Sequence, residues 1–121
     1  METILVTGAS GLLGQAVVKR LAKSQKYHII AVVSGRRKAI FTDNVQIEEC
    51  DLLEEKERMT LLERVRPQHI CHLAWSLGND AFLKSENNIK WLEASLHIIR
   101  LFAEYGGKRF VFAGSSSEYG Q

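Results

Sequence analysis

Gly8, Gly11 and Gly14 stand three residues apart, directly after the apolar run Ile4-Leu5-Val6-Thr7 and directly before a helical pattern. Glycines in that setting suit one kind of chemistry, the binding of a dinucleotide's diphosphate. The first permits a tight turn out of the strand. The second lets phosphates approach the backbone, and the third lets helix pack closely on strand. Negative charge would then sit at a helix N-terminus, where unpaired N–H groups and the macrodipole favour it. The competing reading is a tight turn that uses glycine for structural reasons alone.

Other residues with chemical potential sort against this turn. Enzymes that use NAD commonly end the second strand with an acid for the ribose 2′-hydroxyl. Here that strand ends at Val33-Ser34, and Arg36, Arg37 and Lys38 follow. Paired guanidinium groups suit a 2′-phosphate, so Arg36 and Arg37 favour NADP over NAD; a solvated basic loop is the alternative. His69 and His72, three apart on a predicted strand, point to opposite faces and cannot share a metal. His28 and His97 have no partner in sequence, so no metal site is expected. The run Glu54-Glu55-Lys56-Glu57-Arg58 reads as a solvated helix face with acids at its N-terminal end. Cys50 and Cys71 read as small core residues in a reducing compartment.

These residues need elements to position them, and the pattern along the chain alternates strand and helix. Strands are predicted at Thr3–Thr7, His28–Val33, Val45–Glu49, His69–Leu73 and Arg109–Ala113. Helices are predicted from about Leu12 to Ser24, Glu54 to Val65 and Asn88 to Tyr105. In the first helix Leu13, Val17 and Leu21 share a face, with Gly14, Val18 and Ala22 beside them; the second is expected to bury Met59, Leu62 and Val65. Pro67 follows the second helix, and Gly106-Gly107 should end the third in the left-handed conformation. Such alternation implies an α/β fold, a doubly wound parallel sheet of five strands in the order 3-2-1-4-5. Gly8, Ser34, Asp51, Ala74 and Ser115 then fall just after strand ends and gather along one rim, where ligands of such sheets bind.

The third helix carries two apolar stripes. Ile89, Leu92, Leu96, Ile99 and Ala103 are expected to pack on the sheet. Trp91, Ile98, Phe102 and Tyr105 form the other, too hydrophobic for a solvated face. It should be covered by a second subunit in a homodimer, with cover from the same chain as the alternative.

At 121 residues the chain suits one domain, and 45% hydrophobic with 25% charged residues places it among soluble globular proteins. The net charge of +2 is too small to argue for nucleic acid. No apolar run approaches a membrane span, and the N-terminus enters a core strand without a leader pattern. A cytoplasmic protein is expected.

Taken together, the motifs resemble those of the extended short-chain dehydrogenase/reductase family, the nucleotide-sugar epimerases and dehydratases. Thr7-Gly8-Ala9-Ser10-Gly11-Leu12-Leu13-Gly14 is similar to that family's TGxxGxxG, and His72-Leu73-Ala74-Trp75 to its HLAA segment beside the cofactor, with Trp75 replacing a small residue. Asp51-Leu52 falls where the family's aspartate meets the adenine amine. Arg109-Phe110-Val111-Phe112, followed by Ser115 and Tyr119-Gly120, resembles the segment bearing the catalytic serine or threonine. The resemblance implies a Rossmann-type fold and a dinucleotide held by Gly8, Ser10, Gly11, Leu12, Leu13, Gly14, Asp51, Leu52, Leu73, Ala74 and Trp75. Asn87 or Asn88 is either a further contact at the cofactor rim or a helix N-cap. Ser115 would hydrogen-bond a developing oxyanion, its alternative being a serine that satisfies backbone groups after a strand.

The implied reaction exchanges hydride between NAD(P) and a sugar carbon, with a tyrosine and a lysine four residues later moving the proton. No tyrosine here has that lysine: Tyr27 is followed by Ala31 and Tyr105 by Arg109. Residues 1–121 are therefore expected to be the N-terminal part of a longer enzyme, truncated after strand five and without its substrate lobe; alone they are expected to bind dinucleotide weakly or not at all and to turn nothing over. The family's 4,6-dehydratases place an aspartate-glutamate or serine-glutamate pair right after the catalytic threonine. Here Ser116 and Ser117 follow Ser115 and the acid, Glu118, comes one position late, which favours an epimerase or keto-sugar reductase. The alternative is a non-catalytic NADP-binding sensor or regulatory protein.

Overall fold

The computed structural model describes residues 1–34, 41, 42, 44–74 and 86–112, with side chains from Ile89 onward in the last stretch. Among these residues five strands and three helices follow in the order β1 (Glu2–Thr7), α1 (Leu12–Ser24), β2 (Tyr27–Val33), β3 (Val45–Glu49), α2 (Glu55–Val65), β4 (His69–His72), α3 (Glu86–Glu104) and β5 (Arg109–Phe112). The strands form one parallel sheet in the order β3-β2-β1-β4-β5. Every expected element is present, with ends shifted by a residue or two. The register aligns the C-terminal ends, Thr7 beside His72 and Val33 beside Glu49, so the loops that follow share one rim.

Side-chain alternation along the strands divides the core in two. Leu5, Ile30, Val32 and Ile70 pack with Leu61 and Leu62 of α2 and with Ile98, Leu101 and Phe102 of α3. Val6, Ile29, Ala31, Val33 and Val45 pack with Val18 and Ala22 of α1 on the opposite face. The central position of β2 explains its unbroken apolar stretch, because residues Ile29 to Val33 are buried whichever way they point.

The helices correct three expectations. In α1 the buried residues are Gly14, Val18 and Ala22, while Leu13 is exposed and Val17 and Leu21 are half-buried. Small residues let the helix axis approach the sheet, and the larger neighbours are displaced to the flanks. In α2 the buried positions are Arg58, Leu61 and Leu62, and Met59 is exposed. The third correction inverts α3. Ile98 and Phe102 are buried and Trp91 and Tyr105 pack against the core, whereas Ile89, Leu92, Leu96 and Ile99 face outward.

Both stripes of α3 are apolar, so spacing alone cannot choose between them. The aromatic one offers more area to bury and gains an edge-to-face contact between Phe102 and Phe110, with ring centroids 5.8 Å apart. The homodimer contact expected through Trp91, Ile98 and Phe102 is therefore excluded, because the chain's own sheet and α2 cover that stripe. Helix α3 ends as its glycines require: Gly106 takes φ +83°, and Gly107 N–H donates to the Phe102 carbonyl at 2.8 Å.

Candidate functional site

The turn between β1 and α1 is built from backbone contacts that leave little freedom. Ala9 N–H donates to the Val32 carbonyl at 3.1 Å and Gly11 N–H to the Gly8 carbonyl at 3.1 Å, so the turn is tied to β2 and to itself. Gly8 has φ +65°, and a Cβ there would lie 2.8 Å from the Ala74 nitrogen. A Cβ on Gly14 would lie 2.1 Å from the Gly8 carbonyl oxygen. Both glycines are thus explained by the protein's own packing.

Gly11 is different. Its φ of −73° and ψ of 170° are open to any residue. An added Cβ would meet only the Gly8 carbonyl oxygen, at an ordinary 3.4 Å. Neither conformation nor packing asks for glycine here, which leaves the space outside the turn as the reason. Gly11 is also the N-cap of α1, and no side chain caps the helix or places an acid in its first turn. The leading N–H groups of a helix have no intrahelical partner, and at this end those belong to Leu12, Leu13 and Gly14. Leu12 is 92% exposed.

The wall beside Gly8 is the backbone of Leu73 and Ala74, held from beneath by a buried chain of polar groups. Thr7 Oγ1 accepts N–H bonds from Leu73 at 2.9 Å and Ala74 at 3.1 Å. It also lies 2.7 Å from His72 Nδ1, and His72 Nε2 lies 2.8 Å from Ser95 Oγ on α3. A hydroxyl with both lone pairs engaged gives its proton to its third neighbour. Nδ1 therefore accepts and Nε2–H donates to Ser95, which fixes a neutral histidine. Burial pushes the His72 imidazole down to about 4, in accord with that state.

At the β3 end, Asp51 is exposed and one carboxylate oxygen accepts the Leu53 N–H at 3.1 Å. Asp51 N–H donates to Glu57 Oε1 at 3.0 Å. Leu52 is buried in the core, so only its backbone faces the rim. The buried Arg58 guanidinium braces this turn, donating from Nη1 to the Leu52 and Leu53 carbonyls and from Nε to His97 Nδ1 at 2.8 Å. Burial, then the charges of Arg58 and Arg100, hold His97 below the usual imidazole range.

The structure thus brings Gly8, Ser10, Gly11, Leu12, Leu13, Gly14, Leu73 and Ala74 together at the β1 and β4 ends, with Asp51 and Leu52 on the same rim beyond β2. Arg36, Arg37, Trp75 and Ser115 lie outside the described residues, and of Asn88 only the helical backbone is described. His69 bonds Glu2 Oε1 at 2.8 Å and so faces away from His72. No cluster that could hold a metal occurs among the described residues.

Sequence reasoning missed Thr7, His72 and Ser95 as a unit. The signal available was a polar residue in each of three buried patterns: Thr7 ending an apolar strand, His72 beside it, and Ser95 within the aromatic stripe of α3.

A strand–glycine turn–helix cradle at the switch point of a 3-2-1-4-5 sheet defines a dinucleotide-binding class of α/β protein. Residues 4–121 match the model of the NAD dependent epimerase/dehydratase family, and the chain belongs to that family, which is one of enzymes. It is 29% identical over 125 residues to ADP-L-glycero-D-manno-heptose-6-epimerase of Cupriavidus pinatubonensis, covering 98% of this chain and 37% of that protein. Against GDP-L-fucose synthase of Dictyostelium discoideum it is 29% identical over 77 residues, 64% of this chain and 21% of the relative. Among solved structures, UDP-glucose 4-epimerase of Thermotoga maritima superposes with a TM-score of 0.81 at 24% identity, over 93% of this chain and 38% of that one. The Thermus thermophilus UDP-glucose 4-epimerase, solved with NAD, gives 0.81 at 20% identity, over 93% and 37%. The chain therefore spans well under half the length of these relatives.

Proposed function

We propose that the chain is the N-terminal dinucleotide-binding part of an NAD(P)-dependent oxidoreductase that acts on a nucleotide-sugar. The observation that carries this reading is Gly11, a glycine needed by neither conformation nor packing, at the uncapped N-terminus of α1. The first amides of α1 would hold the diphosphate, with Gly8 and the Leu73–Ala74 backbone as one wall. Asp51, exposed on the same rim, would meet the adenine. A bound nicotinamide supplies hydride transfer; the protein's part is to orient it and, through Ser115, to hydrogen-bond the sugar oxygen.

A nucleotide-linked sugar as substrate is supported by the names of the heptose-epimerase and fucose-synthase relatives. Epimerisation or keto-sugar reduction is favoured over dehydration by the late position of Glu118, and NADP over NAD by Arg36 and Arg37 after the acid-free end of β2. Without a Tyr-x-x-x-Lys pair and a substrate lobe, residues 1–121 bind cofactor only weakly and turn nothing over. We place the protein in the cytoplasm, its thiols Cys50 and Cys71 free; no helix among the described residues is long and apolar enough to cross a membrane. A homodimer is retained, now through the outward stripe Ile89, Leu92, Leu96 and Ile99.

The test is calorimetric titration of NAD and NADP into the wild-type chain and Gly11→Ala. The wild type is expected to bind, NADP more tightly. The variant should melt as the wild type does but bind roughly tenfold more weakly or worse, a loss of about 1.4 kcal/mol. Equal affinity in the two proteins would remove the cradle assignment, and NAD affinity equal to or above that for NADP would reject the cofactor preference.

A further inference from the structure

Thr7, His72 and Ser95 form one continuous buried hydrogen-bonded chain that begins at the cradle and ends on helix α3. All three are among the few buried polar residues, with exposures of 0%, 1% and 4%. Buried polar groups in an otherwise apolar core are retained at a loss of hydrophobic contact, and when fully paired they specify one arrangement. Here each member's pairing depends on the next. Thr7 spends both lone pairs on the Leu73 and Ala74 amides, its proton on His72, and His72 its own proton on Ser95.

What this arrangement places is specific. The two amides that Thr7 holds belong to the segment whose backbone a Cβ on Gly8 would strike at 2.8 Å. Leu73 and Ala74 lie past the end of β4, where the last β1–β4 register pair is Thr7 with His72. Beyond that pair the ladder no longer sets the backbone, and the Thr7 hydroxyl takes over that work. Its γ-oxygen fixes the wall; His72 fixes the direction of the hydroxyl; Ser95 fixes the tautomer of His72. The ring is also confined by Phe110 and Phe112, with centroids 5.9 Å away on each.

We propose that the Thr7–His72–Ser95 chain is a positioning device for the dinucleotide site, setting the Leu73–Ala74 wall against the diphosphate turn with α3 as its anchor. It rests on the reading of that turn as a dinucleotide cradle. The three residues touch no ligand themselves; they act through the backbone of Leu73 and Ala74.

The test uses Thr7→Val, which keeps the shape and removes the hydroxyl, beside Thr7→Ser, which keeps the hydroxyl, and Ser95→Ala. NAD and NADP affinities are measured by calorimetry on the 121-residue chain, together with amide hydrogen exchange and histidine nitrogen shifts by NMR. Thr7→Val should bind at least tenfold more weakly than wild type, and Thr7→Ser within about threefold of it. In Thr7→Val the Leu73 and Ala74 amides should exchange faster, with protection restored in Thr7→Ser. Wild-type His72 should show the neutral Nε2–H tautomer, and Ser95→Ala should erode that preference and weaken binding.

A folded Thr7→Val with the affinity of Thr7→Ser overturns the proposal. Should Thr7→Val not fold, Ser95→Ala decides: unchanged affinity and tautomer overturn it. Should the wild type bind neither dinucleotide, the cradle reading fails. The device itself is then judged on exchange and tautomer, and a wild-type His72 protonated on Nδ1 defeats it.

Discussion

At Gly14 an added methyl would have to occupy the space of the Gly8 carbonyl oxygen, 2.1 Å away, and the neighbours it meets are backbone. Backbone cannot rotate aside as a side chain can, so Gly14→Ala should destabilise the chain by roughly 3 kcal/mol. Urea unfolding would show this, and Gly11→Ala, which meets no such obstacle, is its control. His72 makes the second residue-scale prediction. Its folded value, about 4, lies below the ordinary 6.5. The unfolded chain therefore binds the proton more readily, and stability is complete above pH 6.5 and declines as pH falls toward 4. The loss reaches about 3 kcal/mol by pH 4. His97, shifted in the same direction by burial and by Arg58, steepens the same limb, and Glu2, held low chiefly by Lys108, adds its loss at still lower pH. Unfolding measured from pH 7.5 to 4 should show the decline, and His72→Gln should flatten it; parallel curves would contradict the shift. The glycine spacing was legible in the sequence because the close approaches that demand glycine are local. The roles of Thr7, His72 and Ser95 were not, since residues 7, 72 and 95 meet only across the fold.

Helix α3 shows where periodicity stops being informative. A period of 3.6 identifies a helix, but two apolar stripes on one helix are equivalent until the partner surface is known. The inner stripe includes Ser95, whose burial makes sense only with His72 beneath it. Helix α2 shows the same limit: the charged run 54–58 reads as a solvated face, yet the Arg58 guanidinium is buried against the Leu52 and Leu53 carbonyls and His97. Removing it should leave those acceptors unpaired beneath the Asp51 turn. Arg58→Met, which retains the stem, is expected to lower stability by about 2 kcal/mol, read by urea unfolding, and a loss below about 0.5 kcal/mol would show the brace to be dispensable. The outer stripe of α3 makes a prediction of association. Leu92 and Leu96 are 50% and 58% exposed, so a charge there is tolerated by the monomer and opposed only in an interface. Light scattering with size exclusion should find a wild-type dimer and a monomeric Leu96→Glu. A wild type that is monomeric at all concentrations would dispose of the dimer.

On the scale of the whole molecule, the layer order followed from the chain pattern, because parallel strands joined by helices have few permitted arrangements. What the pattern could not show is how unevenly the layers cover the sheet. Among the described residues, α1 is the helix packed on one face, while α2 and α3 share the other. The two sheet edges differ as a result. On β3 Gln46, Ile47 and Glu49 are exposed, and the half-buried Glu48 is paired with Arg64 at 2.9 Å; charge of this kind discourages pairing with another strand. On β5 the sequence is Arg-Phe-Val-Phe, and Val111 and Phe112 are 50% and 43% exposed. A short apolar strand that stands at the sheet's end among the described residues is a template for strand addition. The 121-residue chain should therefore form β-rich aggregates on warming, at a rate that rises with concentration. A charge at the half-exposed Val111 would change folding stability by no more than about 0.5 kcal/mol, yet would have to be buried between strands in any edge-to-edge contact. Val111→Lys is thus expected to keep the wild-type melting temperature and to delay aggregation severalfold in light scattering. If Val111→Lys aggregates as fast as the wild type while melting at the same temperature, β5 is not the edge at which the chains meet.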